Sequence, residues 1–169
     1  MDDLDIEGAA MIEDNLLFCN RANNTHPDNF IIITKNEFWK NQKEAEISVI
    51  KIDLVEEKIY LMGITGLAYS PLNDWLLFTS FTENKNISHV DGKRGDSYIG
   101  IIENASRKIG RKRMKVNDLQ NLTAADEKFA GYKVESVCIQ SERDGRLKLH
   151  LAAVNDTGLS YLFKVRIKI

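Results

Sequence analysis

One short pattern occurs three times in this chain, and an internal repeat limits a fold more than any single motif does. The copies are Ile6-Glu7-Gly8-Ala9-Ala10, Ile64-Thr65-Gly66-Leu67-Ala68 and Val134-Glu135-Ser136-Val137-Cys138. After each comes a turn and a second apolar run: Leu16-Leu17-Phe18-Cys19-Asn20, Trp75-Leu76-Leu77-Phe78-Thr79-Ser80 and Leu147-Lys148-Leu149-His150-Leu151. Each pair reads as a hairpin. A polar stretch rich in Asn, Asp, Ser and Gly follows, then a third run: Phe30-Ile31-Ile32-Ile33-Thr34, Tyr98-Ile99-Gly100-Ile101-Ile102 and Tyr161-Leu162-Phe163-Lys164-Val165. A fourth strand is expected in the first repeat over Ile47 to Ile52 and in the second around Lys112 to Val116, with none left for the third.

β-branched and aromatic residues dominate these runs, and alternation is clearest where Phe163, Val165, Ile167 and Ile169 interleave with Lys164, Arg166 and Lys168. The chain has two prolines, Pro27 and Pro71, and both fall outside the expected strands. One helix signal stands out: Thr123 as N-cap before Ala124 to Phe129, stopped near Gly131, between repeats two and three. The expected fold is therefore one all-β domain over residues 1–169, with repeats at about 5–56, 62–117 and 132–169. Units that open on a small-residue strand and end on a polar one fit propeller blades: about three antiparallel four-stranded blades, half of a six-bladed ring, with small side chains crowded at the axis. The alternative is a β-sandwich with loose internal similarity.

A ring needs about four blades or more, so three imply a partner. That partner is expected to be the second half of the propeller, either N-terminal blades on a longer chain or another copy of this one. With 43% hydrophobic residues the chain has enough apolar material for a core, and a formal charge of −2 supplies no global field to recruit nucleic acid or an anionic membrane. No run approaches the length of a membrane span, and the acidic opening Met1-Asp2-Asp3-Leu4-Asp5 is unlike a signal peptide, so a soluble protein is expected. Cys19 and Cys138 lie far apart in apolar runs and read as buried hydrophobes rather than a disulfide.

Four segments stand together: Asp5 to Ala10 with Leu16 to Arg21, Gly63 to Ala68 with Leu77 to Ser80, Asp91-Gly92 leading into Ser97 to Ile102, and Lys133 to Val137 with Ala153 to Asp156. In these the chain resembles a family of uncharacterised bacterial β-propeller proteins of the Bacteroidetes type, distantly similar to phytase-like and esterase-like propellers. The resemblance implies that the chain matches the C-terminal half of longer family members. Ser136 and Asn155 stand where the family pattern has a glycine and an aspartate.

Antiparallel pairing puts the start of each first strand and the end of each second strand at one end of a blade. To that end fall Glu7 and Glu135, then Asn20, Arg21, Ser80, Asn155 and Asp156, and His26, Asp28, Glu83, His89, Asp91 and Arg94 from the following loops. Loops on a rigid scaffold are where binding residues concentrate. Arg21, His89, Asp91, Asn155 and Asp156 are the candidate ligand-binding residues. Glu7 and Glu135 are candidate Ca²⁺ ligands, since carboxylate oxygens suit a hard cation, and phytase-like propellers imply such a site; ion pairs with cations such as Arg21 are the alternative. The expected function is a binding module without catalysis, set against a calcium-dependent phosphoesterase or lactonase with His26 or His89 as base. Ser80 and Ser136 lie in no nucleophile elbow, and Asp91-Gly92-Lys93-Arg94-Gly95-Asp96 reads as a hairpin loop rather than a phosphate loop. The basic cluster at Arg107, Lys108, Arg111, Lys112, Arg113 and Lys115 lacks interleaved aromatics and reads as a solvated outer strand, and His150 as a solvated side chain.

Overall fold

Each repeat builds the antiparallel centre of a separate sheet. The computed structural model describes residues 4–54, 60–84, 95–143, 145–155 and 157–168. The first repeat supplies β1 (Ile6–Ile12), β2 (Asn15–Asn20), β3 (Asn29–Lys35) and β4 (Ser48–Asp53), and the second β5 (Tyr60–Ser70), β6 (Trp75–Asn84) and β7 (Ser97–Glu103). Two short strands follow, β8 (Arg113–Lys115) and β9 (Asp118–Asn121), then the single-turn helix α1 (Leu122–Ala125). The third repeat is β10 (Lys133–Arg143), β11 (Arg146–Val154) and β12 (Ser160–Lys168). The sheets run β1-β2-β3-β4-β8, β5-β6-β7-β9 and β10-β11-β12, so the fold is mostly β, with sheets of five, four and three strands.

Alternation assigns one face of each strand to a core. The first core joins Leu17, Cys19, Ile31, Ile33, Ile50 and Ile52 of the first sheet to Ile64, Leu67, Leu76, Phe78 and Ile102 of the second. The second core joins Leu77 and Ile99, from the opposite face of the second sheet, to Val134, Val137, Leu147, Leu149 and Leu151 of the third. The middle sheet is thus covered on both faces, and each outer sheet on one.

Around the start of each first strand the repeats are equivalent residue by residue. The register of the first strand pair slips at the same place in each sheet, between Ile6 and Gly8, Ile64 and Gly66, and Val134 and Ser136. Each slip is a β-bulge whose extra residue is Glu7, Thr65 or Glu135. Behind the bulges the first strands pack closely: a Cβ on Gly8 would lie 2.9 Å from Gly66 Cα, and one on Gly66 would lie 2.8 Å from Ser136 Cα. Glycine is required there because the neighbour is backbone and cannot rotate away.

A polar latch accompanies each step. Asn29, first residue of β3, accepts the Ile64 N–H at 2.9 Å and donates to the Met62 carbonyl at 2.8 Å. Ser97, first residue of β7, accepts the Val134 N–H at 3.0 Å and donates to the Tyr132 carbonyl at 3.0 Å. Each latch satisfies the backbone edge that the next first strand turns away from its own partner, an edge that burial would otherwise leave unpaired.

Several expectations change. The segment around Lys112 to Val116 is not the fourth strand of the second sheet; β8 joins the first sheet in parallel to β4, with Met114 opposite Ile52 and fully buried between exposed Arg113 and Lys115. The fourth strand of the second sheet is β9, next to β7. The helix cap is Asn121, not Thr123: its side chain accepts the Ala124 N–H, and after one turn Asp126 caps a separate 3-10 turn at Glu127–Phe129. Cys138 is exposed, because it points to the uncovered face of the third sheet, while Cys19 is buried. His150 is half-buried, and its Nε2 is shut off from solvent without a hydrogen bond. No helix among the described residues is long and apolar enough to cross a membrane.

Candidate functional site

Arg21 is the centre of the charged end of the first sheet. It follows β2 directly, and its N–H donates to the Asp5 carbonyl at 2.9 Å, which extends the β1–β2 pairing by one row. From there the side chain crosses to the second sheet over Gly63, where a Cβ would lie 2.5 Å from Arg21 Nε. Its guanidinium bonds Glu7 at 3.2 Å and also Glu83 at the end of β6. Burial alone would lower the arginine pKa, but Glu83 and Glu7 outweigh it and hold the pKa above its ordinary value. The cation is therefore permanent, although Nε itself is buried without a partner.

The same row recurs in the other sheets. Asp5, Arg21 and Asn29 correspond to Gly63, Phe81 and Ser97, and then to Lys133, Val154 and Ser160. Lys133 lies over the Phe81 ring at 6.0 Å and bonds Glu135 at 3.1 Å. The two glutamates from equivalent bulges are thus each held by a cation, Glu7 by Arg21 and Glu135 by Lys133. Thr65, in the middle bulge, is fully buried and donates to the Val134 carbonyl at 2.7 Å. Among the described residues no three His, Cys, Asp or Glu side chains gather as a metal would require.

The remaining expected residues divide cleanly. Asn155 holds the turn before β12, its Oδ1 accepting from the Thr157 N–H at 3.0 Å, the Thr157 hydroxyl at 2.6 Å and the Leu159 N–H at 3.1 Å. His26 is exposed, in a loop where its N–H donates to Asn23 Oδ1 at 2.8 Å. His89, Asp91, Arg94 and Asp156 lie outside the described residues. Asp28 pairs with Lys51 at 2.5 Å, and Asp96 accepts from Asn121 at 3.0 Å. Among the described residues Asp5, Glu7, Asp28, Glu83, Asp96 and Glu135 stand at this end with Arg21, Lys51 and Lys133, and Glu83 keeps 48% of its side chain exposed. Cys19, beneath it, is no nucleophile at neutral pH: burial, then Glu7 and Asp5, push its thiol pKa far up.

A family model matches residues 1–167. The chain belongs to DUF6929, a family of unknown function. No curated protein and no solved structure matches it. Membership in DUF6929 covers nearly the whole chain and brings with it no relation to propellers or phytases. What the sequence reading missed is the latch, although a trace was present: a polar residue directly precedes an aromatic in Asn29-Phe30, Ser97-Tyr98 and Ser160-Tyr161.

Proposed function

We propose that this chain is a binding module built as part of a β-propeller, three blades turned about the line of their first strands, without catalysis of its own. One observation carries the reading: bulge, glycine contact and latch repeat from the first sheet to the second and again to the third. A fixed step applied twice to equivalent sheets is how a ring of blades grows, and rings hold ligands at the ends where loops gather. Here that end carries Arg21 and Asn155 among the described residues, while His89, Asp91 and Asp156 lie outside them. The half-exposed carboxylate of Glu83 beside Arg21 favours a cationic or neutral polar ligand.

The test is thermal melting of the chain with spermidine, calcium and sulfate as probes. Stabilisation by spermidine that weakens in Glu83→Gln supports the binding reading, and stabilisation by sulfate alone overturns it. A second reading, a calcium-dependent hydrolase, draws on the equivalent bulge positions of Glu7 and Glu135. It requires calcium to raise the melting temperature and Glu135→Gln to abolish the rise.

A further inference from the structure

The latch between sheets has two unused halves, and they fit each other. Ser160 is the third member of the Asn29 and Ser97 set, at the same place in its sheet, opposite Val154 as Ser97 is opposite Phe81. It is exposed, and among the described residues its hydroxyl makes no hydrogen bond. The receiving half recurs too. Met62 and Ile64 take the first latch and Tyr132 and Val134 the second, and their counterparts in the first sheet are Leu4, two residues before β1, and Ile6, its first residue. Asp5 turns its carbonyl toward Arg21, so alternation turns the Leu4 carbonyl and Ile6 N–H to the open side of β1. That is the side from which Asn29 and Ser97 approach the next sheets.

Both uncovered faces carry exposed apolar side chains. On the first sheet the uncovered face shows Ile6 at 46% and Met11 at 47% exposure, and on the third Leu162 shows 64%. Apolar side chains this open, in line with a spent set of inter-sheet contacts, mark an interface. We infer that a second copy of this chain docks here, Ser160 of each copy latching Leu4 and Ile6 of the other. This rests on the propeller reading above and deepens it by naming the partner. Two copies related by a two-fold axis use both unsatisfied ends and place six sheets in one ring, within the range that closes. The third step differs in one respect. Ser136 carries the Cβ that Gly8 and Gly66 lack, so the first strands of the two copies stand a few tenths of an ångström further apart.

Light scattering after size exclusion reads the outcome. The full chain is expected at twice its 19.3 kDa mass. Ser160→Ala is expected to weaken the dimer about a thousandfold, since it removes two hydrogen bonds at each of the two equivalent contacts. Ser160→Asn, which copies Asn29, is expected to retain it, and Leu162→Glu to abolish it. Melting temperatures of the three variants as dilute monomers check that the fold is intact, since both positions are exposed. A 19.3 kDa species at every concentration overturns the inference, as does a dimer indifferent to both Ser160→Ala and Leu162→Glu. A monomer that still melts higher with spermidine removes the second copy and leaves the binding reading standing.

Discussion

Asp74 shows how much one residue organises at the end of the sheets opposite the charged one. It sits in the β5–β6 turn at φ 52°, a conformation Asp and Asn tolerate better than other residues. Its carboxylate accepts from the Ser106 N–H at 2.8 Å, the Ser106 hydroxyl at 2.8 Å and the Tyr69 hydroxyl at 3.0 Å. Burial works against its charge, but the bonds from Ser106 and Tyr69 prevail and hold its pKa below the ordinary 3.8. The lowered pKa means a contribution that is present above about pH 4 and lost as pH falls through the folded value. Asp74→Asn keeps the turn and is expected to cost about 1–3 kcal/mol at neutral pH while flattening the acid limb of a melting-temperature profile. Tyr69 behaves oppositely: burial first, then Asp74, push its pKa up to about 12. Its contribution is full below pH 10 and falls as pH rises through 12, a loss that Tyr69→Phe removes from the same profile. Gly66→Ala tests the contact between first strands, and the forced shift against Ser136 is expected to cost about 1–3 kcal/mol in urea unfolding. The glycines were legible in the sequence as the mark of a crowded strand, but Asp74 was not. Its partners Tyr69 and Ser106 come from separate segments that meet only in three dimensions.

Strands and their order within each repeat could be read from alternation, because one covered face writes itself as period two. Partners beyond the hairpins could not. Lys112 to Val116 has the same pattern whichever sheet it joins, and what sends β8 to the first sheet is the place for Met114 beside Ile50 and Ile52. The helix was misread by two residues because Asn121 ends a strand and caps a helix at once, and strand pairing is invisible in the local sequence. The latch belongs to this scale as well. Asn29→Ala strands the Ala22 and Ile64 N–H groups and the Met62 carbonyl, and about 3 kcal/mol of stability is expected to go with them; Ser97→Ala is expected to cost about 2 kcal/mol. Equilibrium unfolding in urea measures both, and Ser160→Ala, with nothing to release, is expected to leave the monomer unchanged.

At the scale of the molecule, three equivalent sheets are stacked with the middle one fully covered and a face of each outer one exposed. Those faces differ. The third carries Arg143, Arg146, Lys148, Lys164, Arg166 and Lys168 outside its apolar strip, while the first shows Ile6, Met11 and Val49. The expectation of a partner rests on a count of repeats, whereas the proposed fit between Ser160 and the edge of β1 rests on the register of all three sheets. The central claim is that one latch joins successive sheets, and amide hydrogen exchange followed by NMR tests it most directly. The Ile64 and Val134 N–H groups, both on strand edges without a neighbouring strand, are expected to exchange as slowly as amides paired within β2 and β6. Exchange of either at the rate of loop amides would contradict the account.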